Sequence, residues 1–566
     1  MWAPKARSVE LCCRGRRVPM ATAPGDWFVA ADELAPGTRY GFSVDGGPVR
    51  PDPSSLWQPD GVHGLSAIVD PAILRRGSVG VDVHGRVGYE VHIGTFTPEG
   101  TFDAAIGHLD HLVDVGVAAV GVMPVADFPG DRGWGYDGVG LYAVHRAYGG
   151  PAGFARFIDA CHERGLGVIL DVVYNHLGPE GNYLAEFGPY FTPGHMTPWG
   201  PAINLDDHGN PEVRSFILGN ARQWLVDYGV DALRLDAVHA LVDSSPVHLL
   251  AELAQAVAGW RAETGRPLRL IAESDLNQPA MVTPLGAARG ALGMDAQWDD
   301  DVHHALHAFL TGEQQGYYVD FGSAEVLAKA LTRVFIHDGG HSTFRDRPWG
   351  APVDPATDSY DGHSFVVSLQ NHDQVGNRAA GDRIGAGIDP VLQAAGAALY
   401  LLGPFTGMLF MGEEWAASTP FPFFSELGGD LGAMVTQGRA EEFQAMEWAD
   451  VEVPDPQASA TRDSAVLRWD EISHGHHARM LEWYRRILRI RRDEADTRNP
   501  RLASVSVEVI DADTIEMRRG RIAVWVSRGT GRAAPAGARI LAAWPAAGEA
   551  AAAGPGVVVY TLASSA

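Results

Sequence analysis

The stretch DALRLDAVH (231–239) carries two kinds of side chain on opposite faces. In an extended strand Leu233 and Leu235 point one way, and Arg234 and Asp236 point the other. Seven further short runs are equally rich in Val, Ile, Leu and other apolar residues: YEVHI (89–93), AAVGVMPV (118–125), GVILDVV (167–173), RLIAES (269–274), MDAQWDD (294–300), SFVVSLQ (364–370) and GMLFMG (407–412). Longer patterns with helical spacing lie between them, among them FARFIDACHERG, PVHLLAELAQAVAGW and DPVLQAAGAALYLL. Eight strands alternating with helices predict the α/β class and a (β/α)8 TIM barrel with insertions. Polar residues gather where these strands end: Asp171 with Asn175 and His176, Asp236, Glu273, Trp298 with Asp299, His372 with Asp373, and Glu413. In such a barrel those ends form one face, and that face carries the active site.

The rest of the chain is arranged around this barrel. At ~150 residues per domain, 566 residues allow about four units, or fewer when one is a large barrel. Residues 1–80 read as a small β unit with turn signals between short apolar patches, followed by a Pro- and Gly-rich connector. The barrel is expected over 85–495, with a polar, aromatic insertion at about 176–210, and a small C-terminal β domain over 500–566. Within the insertion, Tyr183, Phe187, Tyr190, Phe191 and Trp199 could stack on a ligand or pack a core of their own.

Composition excludes several classes of function. A net charge of −26 leaves no basic excess for a nucleic-acid backbone or an anionic membrane surface. The three cysteines, Cys12, Cys13 and Cys161, offer neither a disulfide framework nor zinc spacing, which suits a reducing cytoplasm. The first residues lack the long apolar run of a signal peptide, again an expectation of cytoplasmic location. Ala394–Gly412 is uncharged over about the length of a membrane span, but Gly403-Pro404 interrupts it, and it reads as a helix followed by a buried strand.

The chemistry follows from three acids. Arg234 beside Asp236 keeps a carboxylate ionised, as a nucleophile requires. Glu273 lies among Ile271, Ala272 and Ser274 without a basic neighbour in sequence, where a raised pKa would leave it protonated as a general acid. An ionised Asp and a protonated Glu on adjacent strand ends form the arrangement of a retaining glycosidase, with carboxyls ~5 Å apart. Asp373 is a third acid, suited to holding sugar hydroxyls and stabilising an oxocarbenium-like transition state.

DVVYNH (171–176), DALRLDAVH (231–239), IAES (271–274) and QNHDQ (370–374) together resemble the four short motifs of the α-amylase superfamily, glycoside hydrolase family 13. The resemblance implies Asp236 as nucleophile, Glu273 as general acid/base and Asp373 as transition-state carboxylate. It implies Arg234 orienting the nucleophile, His176 and His372 contacting hydroxyls of the cleaved sugar, Asp171 at the first acidic position, and Tyr136 in GWGYDG stacking beneath that sugar. Asn175 matches a calcium ligand of some members, but no partner set accompanies it, and neither metal nor cofactor is expected.

The start of the chain resembles the N-terminal immunoglobulin-like β-sandwich of several family members. WQPDGVHG (57–64), GDRGWGYDGV (130–139), NHLGPEGNY (175–183), PWGPAINLDD (198–207), FMGEEW (410–415), PFPFF (420–424), QGRAEEF (437–443) and PDPQ (454–457) resemble one branch. That branch hydrolyses the α-1,4-glucosidic bond next to the terminal trehalose unit of malto-oligosyltrehalose, releasing trehalose. A companion synthase would supply the substrate. His239 in DAVHA is then expected to face the leaving group, with Asp131, Trp134, Asp137 and Glu414 as further candidates. The alternatives are a glycogen-branching or α-1,6-debranching enzyme, or a non-catalytic glucan-binding protein; retention of all three acids argues against the last.

Overall fold

Eight parallel strands close into a barrel in chain order: β1 (Gly88–Val91), β2 (Ala119–Val122), β3 (Gly167–Val172), β4 (Ala232–Leu235), β5 (Arg269–Ala272), β6 (Ala296–Trp298), β7 (Phe365–Ser368) and β8 (Thr406–Phe410). The computed structural model describes residues 1–31, 33–74, 79–197, 200–445, 452–529, 534–535, 537–545 and 554–562. All eight apolar runs form strands, each shorter than its run because the last residues turn away to present their side chains. Their residues are almost all buried, since helices cover the outside and side chains fill the inside.

The covering helices follow the sequence pattern. Gly150–Glu163, Leu249–Thr264 and Pro390–Leu401 coincide with the three helical stretches. The last begins where Asp389 accepts from the Val391 N–H and Pro390 fills the first helical position, whose own N–H would be unpaired in any case. Ala394–Gly412 divides into this helix and β8, as its composition suggested. Among the described residues, no helix is long and apolar enough to cross a membrane.

The barrel interior changes character along its axis. Val83, Ala119, Ala232, Ile271, Ala296, Val366 and Met408 make an apolar plug, and Trp298 caps it toward the strand C-termini. At the opposite end Asp231 binds several elements together. Its carboxylate accepts from the backbone N–H of Val81 and Val168 (both 2.8 Å), lies 2.8 Å from His162 Nε2, and accepts from Arg266 at 3.2 Å.

The flanking units are β-rich. At the N-terminus, Arg16–Pro19, Val9–Cys13, Arg39–Val44 and Val49–Arg50 form an antiparallel sheet that Ser66–Ala67 joins, beside a hairpin of Ala21–Ala23 and Trp27–Val29. This unit grips the insertion. Trp2 packs edge-on against Tyr190, and Arg50 lies 4.0 Å from the Tyr183 ring centroid while pairing with Glu186. Phe187 and Tyr190 are buried and Phe191 packs against the core, so these aromatics build the loop's own core and are not sugar platforms. Trp199 lies outside the described residues.

At the C-terminus a five-stranded antiparallel sheet is anchored by the buried Arg519, which donates to the carbonyls of Leu402, Gly403 and Thr497. Cys12 and Cys161 are buried, Cys13 is half-buried, and all three are free thiols.

Asp231→Ala should strand Arg266 in the interior and orphan two backbone donors. A loss of about 3–5 kcal/mol is expected, read as a lowered Tm in calorimetry, with the catalytic face unchanged in activity per folded molecule.

Candidate active site

The register of the barrel brings the first charges together. Asp171 on β3 pairs with Arg234 on β4, and Leu235 beside it pairs with Ala272 on β5, so Asp236 and Glu273 follow on adjacent strand ends. The buried Arg234 guanidinium is the hub. Its Nη1 donates to Asp171 Oδ2 at 2.7 Å and to Asp236 Oδ1 at 2.9 Å, while Nη2 stands 3.0 Å from Glu273 Oε2. Its flat face lies 4.3 Å from the Trp298 ring centroid, which fixes the plane of the fork. Asp236 is held from a second side, because Asn175 Nδ2 donates to its Oδ2 at 2.7 Å and to its carbonyl at 2.8 Å.

Glu273 accepts from the Ala237 N–H at 2.6 Å. Burial dominates its titration; Arg234 pulls the other way, but Asp236 and Asp373 push with the burial, and its pKa rises to about 8. The net effect favours the protonated carboxyl. Asp171 is pushed up to about 6 by burial, against the pull of Arg234.

A second cluster faces the first. The Tyr136 hydroxyl donates to Asp171 Oδ2 at 2.7 Å and lies 2.7 Å from His372 Nε2, and the two rings stack with centroids 5.2 Å apart. Glu90, on β1, accepts from the His372 backbone N–H at 2.8 Å and lies 2.7 Å from its Nδ1. Burial disfavours the imidazolium, but Asp373 and Glu90 outweigh it and raise the His372 pKa to about 9. Asp373 Oδ2 is 3.4 Å from His372 Nε2 and keeps a third of its side chain exposed to the cleft.

His176 contacts Asn175 Oδ1 and the Tyr136 carbonyl, so it orients those two residues with both ring nitrogens engaged by protein. Gly178, in the same NHLG segment, has no room for a side chain: a Cβ there would stand 2.2 Å from the Asp137 carbonyl oxygen. That close approach locks the loop after β3 onto GWGYDG. Asp137 is half-buried beside Tyr136, its carboxyl pushed up to about 6 by burial.

The remaining expectations divide. His239 is a third exposed at the rim, its Nδ1 3.8 Å from Asp275 Oδ1. Trp134 is buried behind His372, stacked on Phe421 and donating to the Pro422 carbonyl, so it supports the histidine and not a sugar. Glu414 is fully buried between the Tyr89 hydroxyl and His111 and cannot meet substrate; its neighbour Glu413 is likewise enclosed by Tyr400 and Tyr484. Both acids sit in the short, buried helical turn Glu413–Trp415 that follows β8. Asp131 pairs with Arg146 on the exterior. Asp299 caps the helix Asp300–Thr311.

Several contributors escaped the sequence reading. Glu90 lies inside YEVHI, where a lone acid among apolar residues was the available signal. Arg345 and Trp349, in the dense FRDRPWG segment, hold Asp275 through its carboxylate at 3.1 Å and its carbonyl at 2.7 Å. Among the described residues, one group has the composition of a metal site: His84, Asp361 and His363, with candidate ligand atoms within 4.8 Å of one another. It lies at the strand N-termini, across the barrel from the acids, with Arg269 and Arg491 close by.

An Asp, a protonated Glu and a third carboxylate at the strand C-termini of this barrel define a glycoside hydrolase of the α-amylase type. The alpha amylase catalytic domain profile matches residues 68–190. Malto-oligosyltrehalose trehalohydrolase of Arthrobacter ramosus is 50% identical, covering 87% of this chain and 86% of that protein. The protein of the same name from Rhizobium sp. (strain M-11) is 47% identical over 90% of this chain and 87% of its own length. The 1.4 Å crystal structure of a Salmonella typhimurium protein described as an alpha amylase superposes with a TM-score of 0.89 at 38% identity, covering 99% of this chain and 97% of that one. The chain belongs to the malto-oligosyltrehalose trehalohydrolase family.

The raised pKa of His372 has a stability consequence. The imidazolium stabilises the fold fully below its unfolded value of ~6.5, and this contribution is lost as pH rises through about 9. NMR of histidine-labelled protein should find this ring charged at pH 7. In Glu90→Gln it should lose its proton at a lower pH; an unchanged titration would contradict the pairing.

Proposed function

We propose that this chain hydrolyses the α-1,4-glucosidic bond next to the terminal trehalose unit of malto-oligosyltrehalose, releasing trehalose and a shortened maltodextrin by retaining double displacement. One observation carries the chemistry: Asp236 and Glu273 lie on the two terminal nitrogens of the same guanidinium, at 2.9 Å and 3.0 Å, with burial favouring the proton on Glu273. Asp236 attacks the anomeric carbon as Glu273 gives its proton to the departing trehalose oxygen. Glu273, now a carboxylate, then takes a proton from the water that opens the glycosyl-enzyme. Asp373 faces the developing oxocarbenium charge, and Tyr136 with His372 forms the platform beneath the ring. Asp171 holds Arg234, and His176 holds Asn175 and Tyr136 in place. Asp137 and His239 are assigned to hydroxyls on either side of the scissile bond, with Trp134 acting through His372.

The substrate choice rests on the family and on the leaving-group side. His239, Asp275, Arg345 and Trp349 form a polar, aromatic rim there, suited to the second ring of a 1,1-linked disaccharide. The same proposal includes an immunoglobulin-like unit at 1–80, a catalytic barrel at 85–495 and a C-terminal β domain at 500–566. It also includes a role in trehalose biosynthesis in the cytoplasm, after a synthase that converts the reducing end of a maltodextrin into the 1,1 linkage.

Asp236→Asn and Glu273→Gln should each lower kcat by at least about a thousandfold with substrate still bound. Proton NMR should show the maltodextrin product first as its α-anomer. Because Glu273 must be protonated to act and loses its proton as pH rises through about 8, kcat/KM should fall roughly tenfold per pH unit above that value. Wild-type kcat/KM for malto-oligosyltrehalose should exceed that for the malto-oligosaccharide of equal length by at least about tenfold, or ~1.4 kcal/mol of transition-state binding. His239→Ala should narrow that gap more than it slows cleavage of plain maltodextrin. Equal rates on the two substrates would leave only a general α-glucan hydrolase.

A further inference from the structure

The QGRAEEF segment lies on the helix Gly429–Ala445, away from the barrel strands, yet its arginine reaches the active site. Arg439 is largely buried, with Phe423 and Phe443 rings at 5.0 Å and 4.9 Å and Glu442 paired with it at 3.0 Å. Its Nη2 donates to the Gly376 carbonyl at 2.9 Å, and its Nη1 donates to Asn377 Oδ1 at 3.2 Å. Asn377 Nδ2 in turn donates to Asp373 Oδ1 at 3.2 Å, while the Asn377 backbone N–H bonds the Asp373 carbonyl at 2.9 Å.

We propose that Arg439 is a positioning residue that sets the carboxylate of Asp373 through the side-chain amide of Asn377. An asparagine amide can face a neighbour with either end, and only its NH2 end suits a carboxylate. Arg439 carries donors and no acceptor, so it takes the amide oxygen and turns the NH2 toward Asp373. Asp373 is thereby held on Oδ1 by Asn377 and on Oδ2 by His372, leaving its open face to the cleft. Without Arg439 the amide oxygen of Asn377 loses the donor that fixes its direction, and the flipped orientation sets oxygen against oxygen. The two flanking rings fix the guanidinium plane. PFPFF supplies one of them and QGRAEEF the other, so both segments hold the same arginine.

This inference rests on the role proposed for Asp373 as the transition-state carboxylate. A misplaced transition-state group lowers kcat and kcat/KM together and leaves KM nearly unchanged. Steady-state kinetics should be measured for Arg439→Ala, Arg439→Lys, Asn377→Ala, the Arg439→Ala/Asn377→Ala double variant, and Glu441→Gln as a control at an exposed position of the same helix. Arg439→Ala is expected to lower kcat by about tenfold or more with KM within about threefold of wild type. Lysine, which lacks the planar fork that reaches the amide oxygen and the Gly376 carbonyl with two separate nitrogens, should recover only part. The double variant should be no slower than Asn377→Ala, because the two residues act in series. Glu441→Gln should keep wild-type kcat.

Additive losses in the double variant, a loss confined to KM, or an Arg439→Ala rate equal to that of Glu441→Gln would each overturn the proposal. If Arg439→Ala does not fold, Arg439→Lys and Asn377→Ala with their double variant carry the same comparison. The kinetics are run on whichever glucan the wild type cleaves. Failure to release trehalose would then count against the proposed substrate, while the kcat pattern still judges Arg439.

Discussion

One buried guanidinium holds the catalytic face together. Arg234 is in contact with Asp171, Asp236 and Glu273, three acids that would repel one another if left alone. Burying that many charges is costly unless each is paired. The arrangement meets the cost by giving both terminal nitrogens to carboxyl groups and the flat face to Trp298. Five carboxyls (Glu90, Asp171, Asp236, Glu273 and Asp373) share this space with two cations, Arg234 and His372. With acids in excess, the proton is favoured on Glu273, where burial and the neighbouring Asp236 and Asp373 outweigh the pull of Arg234. The acid–base division of labour thus follows from charge balance in a confined volume, without any residue made special by itself.

The barrel and its central acids were legible because their signals are local. Strand alternation put Arg234 and Asp236 on one face within three residues, and apolar runs marked all eight strands. What was not legible depends on contacts between distant segments. Glu414 follows a strand end just as the active acids do in sequence order, and only the fold-back of its turn against Tyr89 and His111 removes it from the cleft. Glu90 looks like a mid-strand acid until His372, from the far end of the barrel sequence, arrives to pair with it. The aromatics of the insertion had two possible partners, a sugar or the N-terminal unit, and Trp2 and Arg50 decide the matter for Tyr190 and Tyr183.

The two ends of the barrel have separate duties. Asp231 and its four partners tie strand, loop and helix together at the N-terminal end, while DALRLDA also supplies Asp236 at the other. One seven-residue segment therefore contributes a structural carboxylate and a chemical one. They are separated by the apolar plug of the barrel interior.

Ala237, immediately after Asp236, has φ +38°, in the left-handed region that only glycine enters freely. That turn aims the Ala237 N–H at the Glu273 carboxylate and the Val238 N–H at its carbonyl. A glycine there would relax the backbone and widen what the loop can sample. Stability and precision are consequently opposed at this residue. A selection for thermal robustness alone would be drawn to a change that loosens the proton donor, so the position ties the evolvability of the fold to the fidelity of its chemistry.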